Sequence, residues 1–189
     1  MAYTYELEWL KTNLTNERYE HSIGTAECAK ELAQRFGQDA EKAFYAGLVH
    51  DCAKCLSKDE SLNILNTMQK DLVDGEMENI KTWHAPCGVF IAKNEFGVID
   101  EDILSAIRWH TLGNLNMTDF EKIIFLADKI ENKTRPKNVI QPIKNSLKNG
   151  LDSALFVCYK NTIKSLADRN LKICPLTIDI YNKLSLRNN

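Results

Sequence analysis

The sequence predicts an all-α, single-domain helical bundle, and three observations carry that expectation. Glycine and proline are scarce, with 8 and 4 among 189 residues. This is roughly half of average usage and leaves few turns for a many-stranded β fold. Apolar residues recur at helical rather than alternating spacing, as in Leu32 with Phe36, Ile103 with Ile107, and Ile124 with Asp128 beyond it. Ser57-Lys-Asp-Glu60 and Thr118-Asp-Phe-Glu121 have the form of capping boxes, in which hydroxyl and carboxylate satisfy the first free N–H groups of a helix.

In chain order, helices are predicted near 4–14 and 16–36, the second stopped by Gly37-Gln-Asp39. A third, near 39–54, carries Ala43, Ala46, Gly47 and His50 on one face, where small side chains let a neighbouring helix approach closely. The Ser57 box starts a helix near 58–70, and another near 84–96 stops at Phe96-Gly97. The helix near 100–110 ends on His110, and the Thr118 box starts one near 119–131. Helices near 138–148, 151–169 and 176–187 follow, with Asn149-Gly150 as the break between the first two. The loops 111–117 and 132–137 border the polar residues of interest, and no repeat or linker divides the chain.

Composition excludes several function classes. A net charge of −2 provides no electrostatic footprint for nucleic acid or an anionic membrane. The longest stretch without Asp, Glu, Lys or Arg is Thr82–Ala92, well short of the roughly 20 apolar residues that span a bilayer. Glu6 and Glu8 stand where a signal peptide would be basic, so a cytoplasmic protein is expected. The six cysteines (28, 52, 55, 87, 158 and 174) are expected to be buried thiols. The single C-x-x-C of Cys52 and Cys55 is expected to be structural rather than redox-active or zinc-binding.

The informative residues are the histidines: His21, His50-Asp51, His84 and His110, together with Asp128 in Ile-Ile-Phe-Leu-Ala-Asp. One His-Asp pair carries little weight, since chance supplies one roughly one time in four at this composition. The surroundings matter more. A carboxylate or imidazole closing an apolar run is costly to bury unless it meets a cation or hydrogen-bond donors. Several such helices together indicate a polar centre inside the bundle, where metal sites are built from facing helices. Imidazole and carboxylate donors without thiolate suit iron, manganese, cobalt or zinc.

The order His21 … His50-Asp51 … Asp128 resembles the HD superfamily of metal-dependent phosphohydrolases. Arg18-Tyr-Glu-His21-Ser, Ala46-Gly-Leu-Val-His50-Asp51-Cys-Ala-Lys54, Ala106-Ile-Arg-Trp-His110-Thr111 and Glu121–Glu131 are similar to its YqeK-type branch. The motif core covers about 18–135, and the tail from Pro175 extends the likeness. The resemblance implies a bacterial enzyme that hydrolyses diadenosine tetraphosphate symmetrically to two ADP. It implies His21, His50, Asp51 and Asp128 as ligands of one or two divalent ions, iron first. Asp51, His84 and His110 are the implied catalytic groups. The two histidines could hold a second metal, meet phosphate, or supply a leaving-group proton. Lys54, Thr111, Arg135 and the stretch Leu171, Lys172, Ile173, Cys174, Pro175 and Leu176 are the implied nucleotide contacts, with His21, Asp51, His84, His110 and Asp128 also near substrate. The helices of 138–187 would complete the pocket, and faces of the terminal helices could form a homodimer.

The chemistry follows from the residue types. A divalent ion lowers the pKa of water from 15.7 toward roughly 7, so that hydroxide is available to attack phosphorus while cations neutralise the equatorial oxygens. Lys54 follows His50 by one helical turn and could reach a phosphate; Arg135 suits bidentate contact. Two alternatives stand beside this expectation: another HD-type phosphohydrolase (a nucleoside 5′-monophosphatase or guanosine-tetraphosphate hydrolase), and a nucleotide sensor without turnover.

Overall fold

A computed structural model describes residues 3–68 and 71–186. Among these residues ten α-helices succeed one another: α1 (Thr4–Asn13), α2 (Asn16–Arg35), α3 (Ala40–Val49), α4 (Lys58–Thr67), α5 (His84–Asn94), α6 (Glu101–Trp109), α7 (Asp119–Ile130), α8 (Lys137–Ser146), α9 (Leu151–Asp168) and α10 (Pro175–Ser185). Short 3-10 turns at Ile80–Thr82 and Leu147–Asn149 complete the order, with no β-strand among the described residues. The all-α expectation holds. The predicted ends of α4 at 69–70 and α10 at 187 lie outside the described residues. None of the described helices is long and apolar enough to cross a membrane.

Both capping boxes form. Ser57 Oγ accepts from the Glu60 N–H at 3.2 Å while Glu60 accepts from the Ser57 N–H at 2.7 Å. Thr118 and Glu121 make the same reciprocal pair at 3.2 and 2.6 Å. These caps set where α4 and α7 begin, and α7 then runs through the centre of the molecule. Ile123, Ile124, Leu126 and Ala127 are fully buried there, each Ile or Leu chain worth about 1.5–3 kcal/mol of transfer free energy.

The small-residue face of α3 works as expected. A Cβ built at Gly47 would stand 2.9 Å from Ala26 Cα and 3.0 Å from the Thr25 carbonyl oxygen, both backbone atoms of α2. Only glycine permits this approach, which brings His21 on α2 within reach of His50.

One boundary needs correction: α3 stops at Val49 and does not run to 54. Overlapping turns take over, with the Cys52 N–H donating to Val49 O at 3.1 Å and the Lys54 N–H to Asp51 O at 2.9 Å. The cause is local. His50 Nδ1 bonds the Gly47 carbonyl at 2.7 Å, competing for an acceptor near the helix end. His110 ends α6 in the same manner, its Nδ1 on the Ile107 carbonyl at 2.7 Å. The helical i, i+4 account of Lys54 is therefore replaced by a turn.

Candidate active site

Both helix-ending histidines have their Nδ1 against a carbonyl oxygen, which only accepts, so that nitrogen carries the proton and Nε2 keeps a free lone pair. His50 Nε2 and Asp51 Oδ1 are buried with no hydrogen-bond partner among the described residues. Orphaned acceptors of this kind are costly in a protein interior unless a cation meets them. The C-termini of α3 and α6 converge here too, adding the negative ends of two helix dipoles.

The donor atoms have the spacing of a coordination sphere. His21 Nε2 lies 2.9 Å from Asp128 Oδ1 and 3.9 Å from Asp51 Oδ2. His50 Nε2 lies 3.8 Å from Asp51 Oδ2 and 3.9 Å from Asp128 Oδ1. An ion held at about 2.0–2.2 Å from N and O donors separates neighbouring donors by roughly 3–4 Å. The other carboxylate oxygen, Asp51 Oδ1, faces His84 Nε2 at 3.3 Å and His110 Nε2 at 3.4 Å. Asp51 thus joins two ion-sized groups, His21-His50-Asp51 and Asp51-His84-His110. The residues fit a divalent metal.

Protonation states follow from burial and charge. Burial pushes His50 down to about 3 against the pull of Asp51, so the ring is a neutral donor at physiological pH. Burial likewise lowers His84, with Asp51 opposing. Burial would raise the carboxyl groups of Asp51 and Asp128. The surrounding polar groups outweigh it, His50, His110, His84 and Lys54 at Asp51, and Lys129, His21, His50 and Arg135 at Asp128, so both stay ionised.

Every residue expected in the metal and catalytic set falls in this one cluster. Lys54 reaches it from the turn, its Nζ 2.9 Å from His84 Nε2 and 3.7 Å from Asp51 Oδ1. Burial lowers the Lys54 pKa, with Asp51 and Asp128 pulling the other way. Thr111 Oγ1 lies 2.9 Å from His84 Nε2 and 3.0 Å from His110 Nε2. Arg135 clasps Asp128, with Nη2 on Oδ1 at 2.7 Å and Nε on the backbone oxygen at 3.0 Å.

The stretch 171–176 lies elsewhere. Leu171, Lys172, Cys174 and Pro175 line a cavity of about 230 Å³ against Gly75, Glu78 and Asn79, whereas Ile173 and Leu176 do not line it. Lys172 pairs with Glu78 across that cavity. Lys81, Leu166 and Arg169 are common to this cavity and a groove of about 680 Å³ whose inner end is Arg18, Lys129 and Arg135.

Three residues escaped the sequence reading. Arg18 Nη1 lies 3.6 Å from Asp51 Oδ2, and Lys129 Nζ donates to Asp128 Oδ2 at 2.6 Å. Glu131 faces His21 Nδ1 at 3.1 Å from a fully buried position. For Arg18 and Glu131 the signal was periodic, three residues before His21 and three after Asp128, whereas Lys129 adjoins Asp128 directly.

The cysteines correct one expectation. Cys52, Cys87 and Cys158 are buried, but Cys55 is exposed and Cys28 and Cys174 are intermediate; all six are free. The Cys52 thiol donates to Gly88 O at 3.6 Å, and burial pushes its pKa up, away from thiolate chemistry. Replacing Cys52 and Cys55 together by serine should keep turnover within about twofold, since the Cys52 thiol is buried and neither cysteine belongs to the donor cluster. A steady-state assay checks this, and a large loss would restore a thiol role.

Comparison with known proteins agrees with this geometry. The HD domain model matches residues 18–133. The chain belongs to the HD-domain family. This HD-domain chain is 40% identical over 183 residues to the symmetrical bis(5′-nucleosyl)-tetraphosphatase of Halalkalibacterium halodurans, covering 95% of each. It is 40% identical over 181 residues to the protein of that description from Bacillus subtilis, covering 94% of this chain and 95% of the relative. A solved structure from Clostridium acetobutylicum, described as a predicted HD superfamily hydrolase involved in NAD metabolism, superposes with a TM-score of 0.91 at 36% identity, covering 99% of this chain and 98% of that one. HD domains hold a divalent metal, in keeping with the donor set.

Proposed function

We propose that this HD-domain protein is a metal-dependent hydrolase that cuts diadenosine tetraphosphate symmetrically into two ADP. The observation that carries this is the buried, orphaned pair His50 Nε2 and Asp51 Oδ1 at one end of a cationic groove. The relatives named as symmetrical tetraphosphatases supply the substrate. His21, His50, Asp51 and Asp128 would hold the metal, which we assign as iron, and Asp51 with His84 and His110 could hold a second ion. When bound, a divalent ion makes water nucleophilic at neutral pH and withdraws charge from phosphate oxygens.

The chain's own residues do the rest. Asp51 and Asp128 stay ionised and fix the donor geometry. The Lys54 ammonium donates to the His84 ring at 2.9–3.2 Å, which leaves other N–H groups free to meet a phosphate oxygen. Thr111 restrains the His84 and His110 rings. Arg135 and Arg18 lie beside the ligand carboxylates and offer further N–H donors to phosphate. In the overall step, water oxygen joins one of the two central phosphorus atoms and the bridging P–O bond breaks. The bridging oxygen leaves with the other half as ADP, and a proton passes to solvent. Helices α8 to α10 wall the nucleotide side, so motif core and tail form one functional domain.

Product chromatography tests this. Incubated with diadenosine tetraphosphate, the enzyme should yield two ADP per substrate, lost on chelation and restored by iron or manganese. AMP plus ATP would overturn the symmetrical reading. Nucleotide binding without turnover under any of these metals would mean a sensor.

A further inference from the structure

The groove of about 680 Å³ is lined by Arg18, Lys81, Lys129, Arg135 and Arg169, and by no Asp or Glu, in a chain of net charge −2. Its size falls within the roughly 300–1,000 Å³ of small-molecule sites. Arg18, Lys129 and Arg135 tie its inner end to Asp51 and Asp128, at 3.6, 2.6 and 2.7 Å. Lys81 and Arg169, at the outer end, are exposed and have no ion-pair partner among the described residues.

One long wall is a single stripe of α9 and its C-cap: Cys158, Asn161, Thr162, Ser165, Leu166 and Arg169. These positions recur at intervals of three and four, which keeps them on one helical face. Val139, half exposed at 47%, and buried Ile143 face the groove from α8. Asn161, Thr162 and Ser165 are exposed and have no side-chain hydrogen-bond partner among the described residues.

A substrate with two identical halves needs two seats flanking the point of cleavage. The 230 Å³ cavity beside Leu171 and Pro175 is suited to one base. We propose that the α8–α9 groove seats the other nucleoside diphosphate half, a proposal that rests on the tetraphosphate reading above. Arg18 and Lys129 meet its phosphates near the metal ligands, and Lys81 and Arg169 close the outer end. Asn161, Thr162 and Ser165 pair with ribose hydroxyls and base edges over the apolar floor of Val139 and Ile143. A groove serving only as a phosphate passage to the smaller cavity would need its cations but not these uncharged donors.

The test uses the metal-loaded enzyme and two variants on the exposed stripe that line the groove alone, Ser165→Trp to fill it and Asn161→Glu to place a negative charge in it. The KM for diadenosine tetraphosphate should rise roughly tenfold or more in each, with metal content unchanged. The inhibition constant of ADP, taken by the smaller cavity that neither residue lines, should stay within about twofold. Equal weakening of both would assign the groove to the same half as the cavity, and no change in either would leave it unused. Both results overturn the proposal. Wild-type enzyme that leaves diadenosine tetraphosphate intact overturns the hydrolase reading first, and the groove proposal with it.

Discussion

Asp51→Asn is expected to remove metal and turnover together. The side chain is 2% exposed, and its two oxygens face different imidazole pairs, His21 and His50 at 3.9 and 3.8 Å, His84 and His110 at 3.3 and 3.4 Å. The amide keeps the shape but loses the charge, and its NH2 cannot ligate. One ion-sized group therefore loses its donor atom and the other keeps only a neutral amide oxygen. Metal per chain should fall below about a tenth of the wild-type content, since affinity depends on ionised ligands. Turnover should fall by more than the roughly 10²–10³-fold that removal of a single charge-stabilising donor costs. Thermal melts provide an independent reading. An ion at a thousand times its Kd stabilises the folded state by about 4 kcal/mol, and that increment should vanish from the variant. Retained metal with lost turnover would reduce Asp51 to a positioning group, and retention of both would place the metal elsewhere.

The ligands were legible in the sequence because each is an anomaly. His110 and Asp128 interrupt apolar helical stripes, and a polar group in such a place implies a partner. The close approach of α2 and α3 was legible in Ala43, Ala46 and Gly47 for a steric reason that needs no tertiary information. The end of α3 was not. It depends on the His50 ring bonding the Gly47 carbonyl, a competition between side chain and backbone that propensity does not register. Lys129 and Glu131 were missed because charges at a helix end read as solvated, whereas here both turn inward onto Asp128 and His21. Asn161, Thr162 and Ser165 are exposed polar residues along one side of α9. Only the tertiary placement of α8, Lys81 and Arg135 turns that face into a wall.

The second large effect is expected at Glu131, which touches no ligand atom of the metal. Its carboxylate is fully buried and faces His21 Nδ1 at 3.1 Å, so the ring presents Nε2 to the ion and gains basicity from the anion behind it. It also accepts from the Thr134 N–H at 3.0–3.1 Å and the Lys133 N–H, anchoring the loop that carries Arg135. Burial would raise its pKa, but these donors outweigh it and hold the carboxyl below its usual range. Glu131→Gln keeps the volume and removes the anion. Metal affinity should fall 10–100-fold, the usual cost of losing a partner behind a ligating imidazole, with much of the turnover recovered when metal is raised to saturation. A merely structural carboxylate would behave differently. Leaving buried donors unpaired would lower stability by about 1–3 kcal/mol while the metal titration stayed unchanged. Gly24→Ala separates the two without altering any charge. A Cβ there would stand 2.6 Å from Glu131 Oε2, displacing the carboxylate from behind His21. If it reproduces the loss of metal affinity, the position of the anion is what matters. If it lowers only the melting temperature, Glu131 serves the loop rather than the metal.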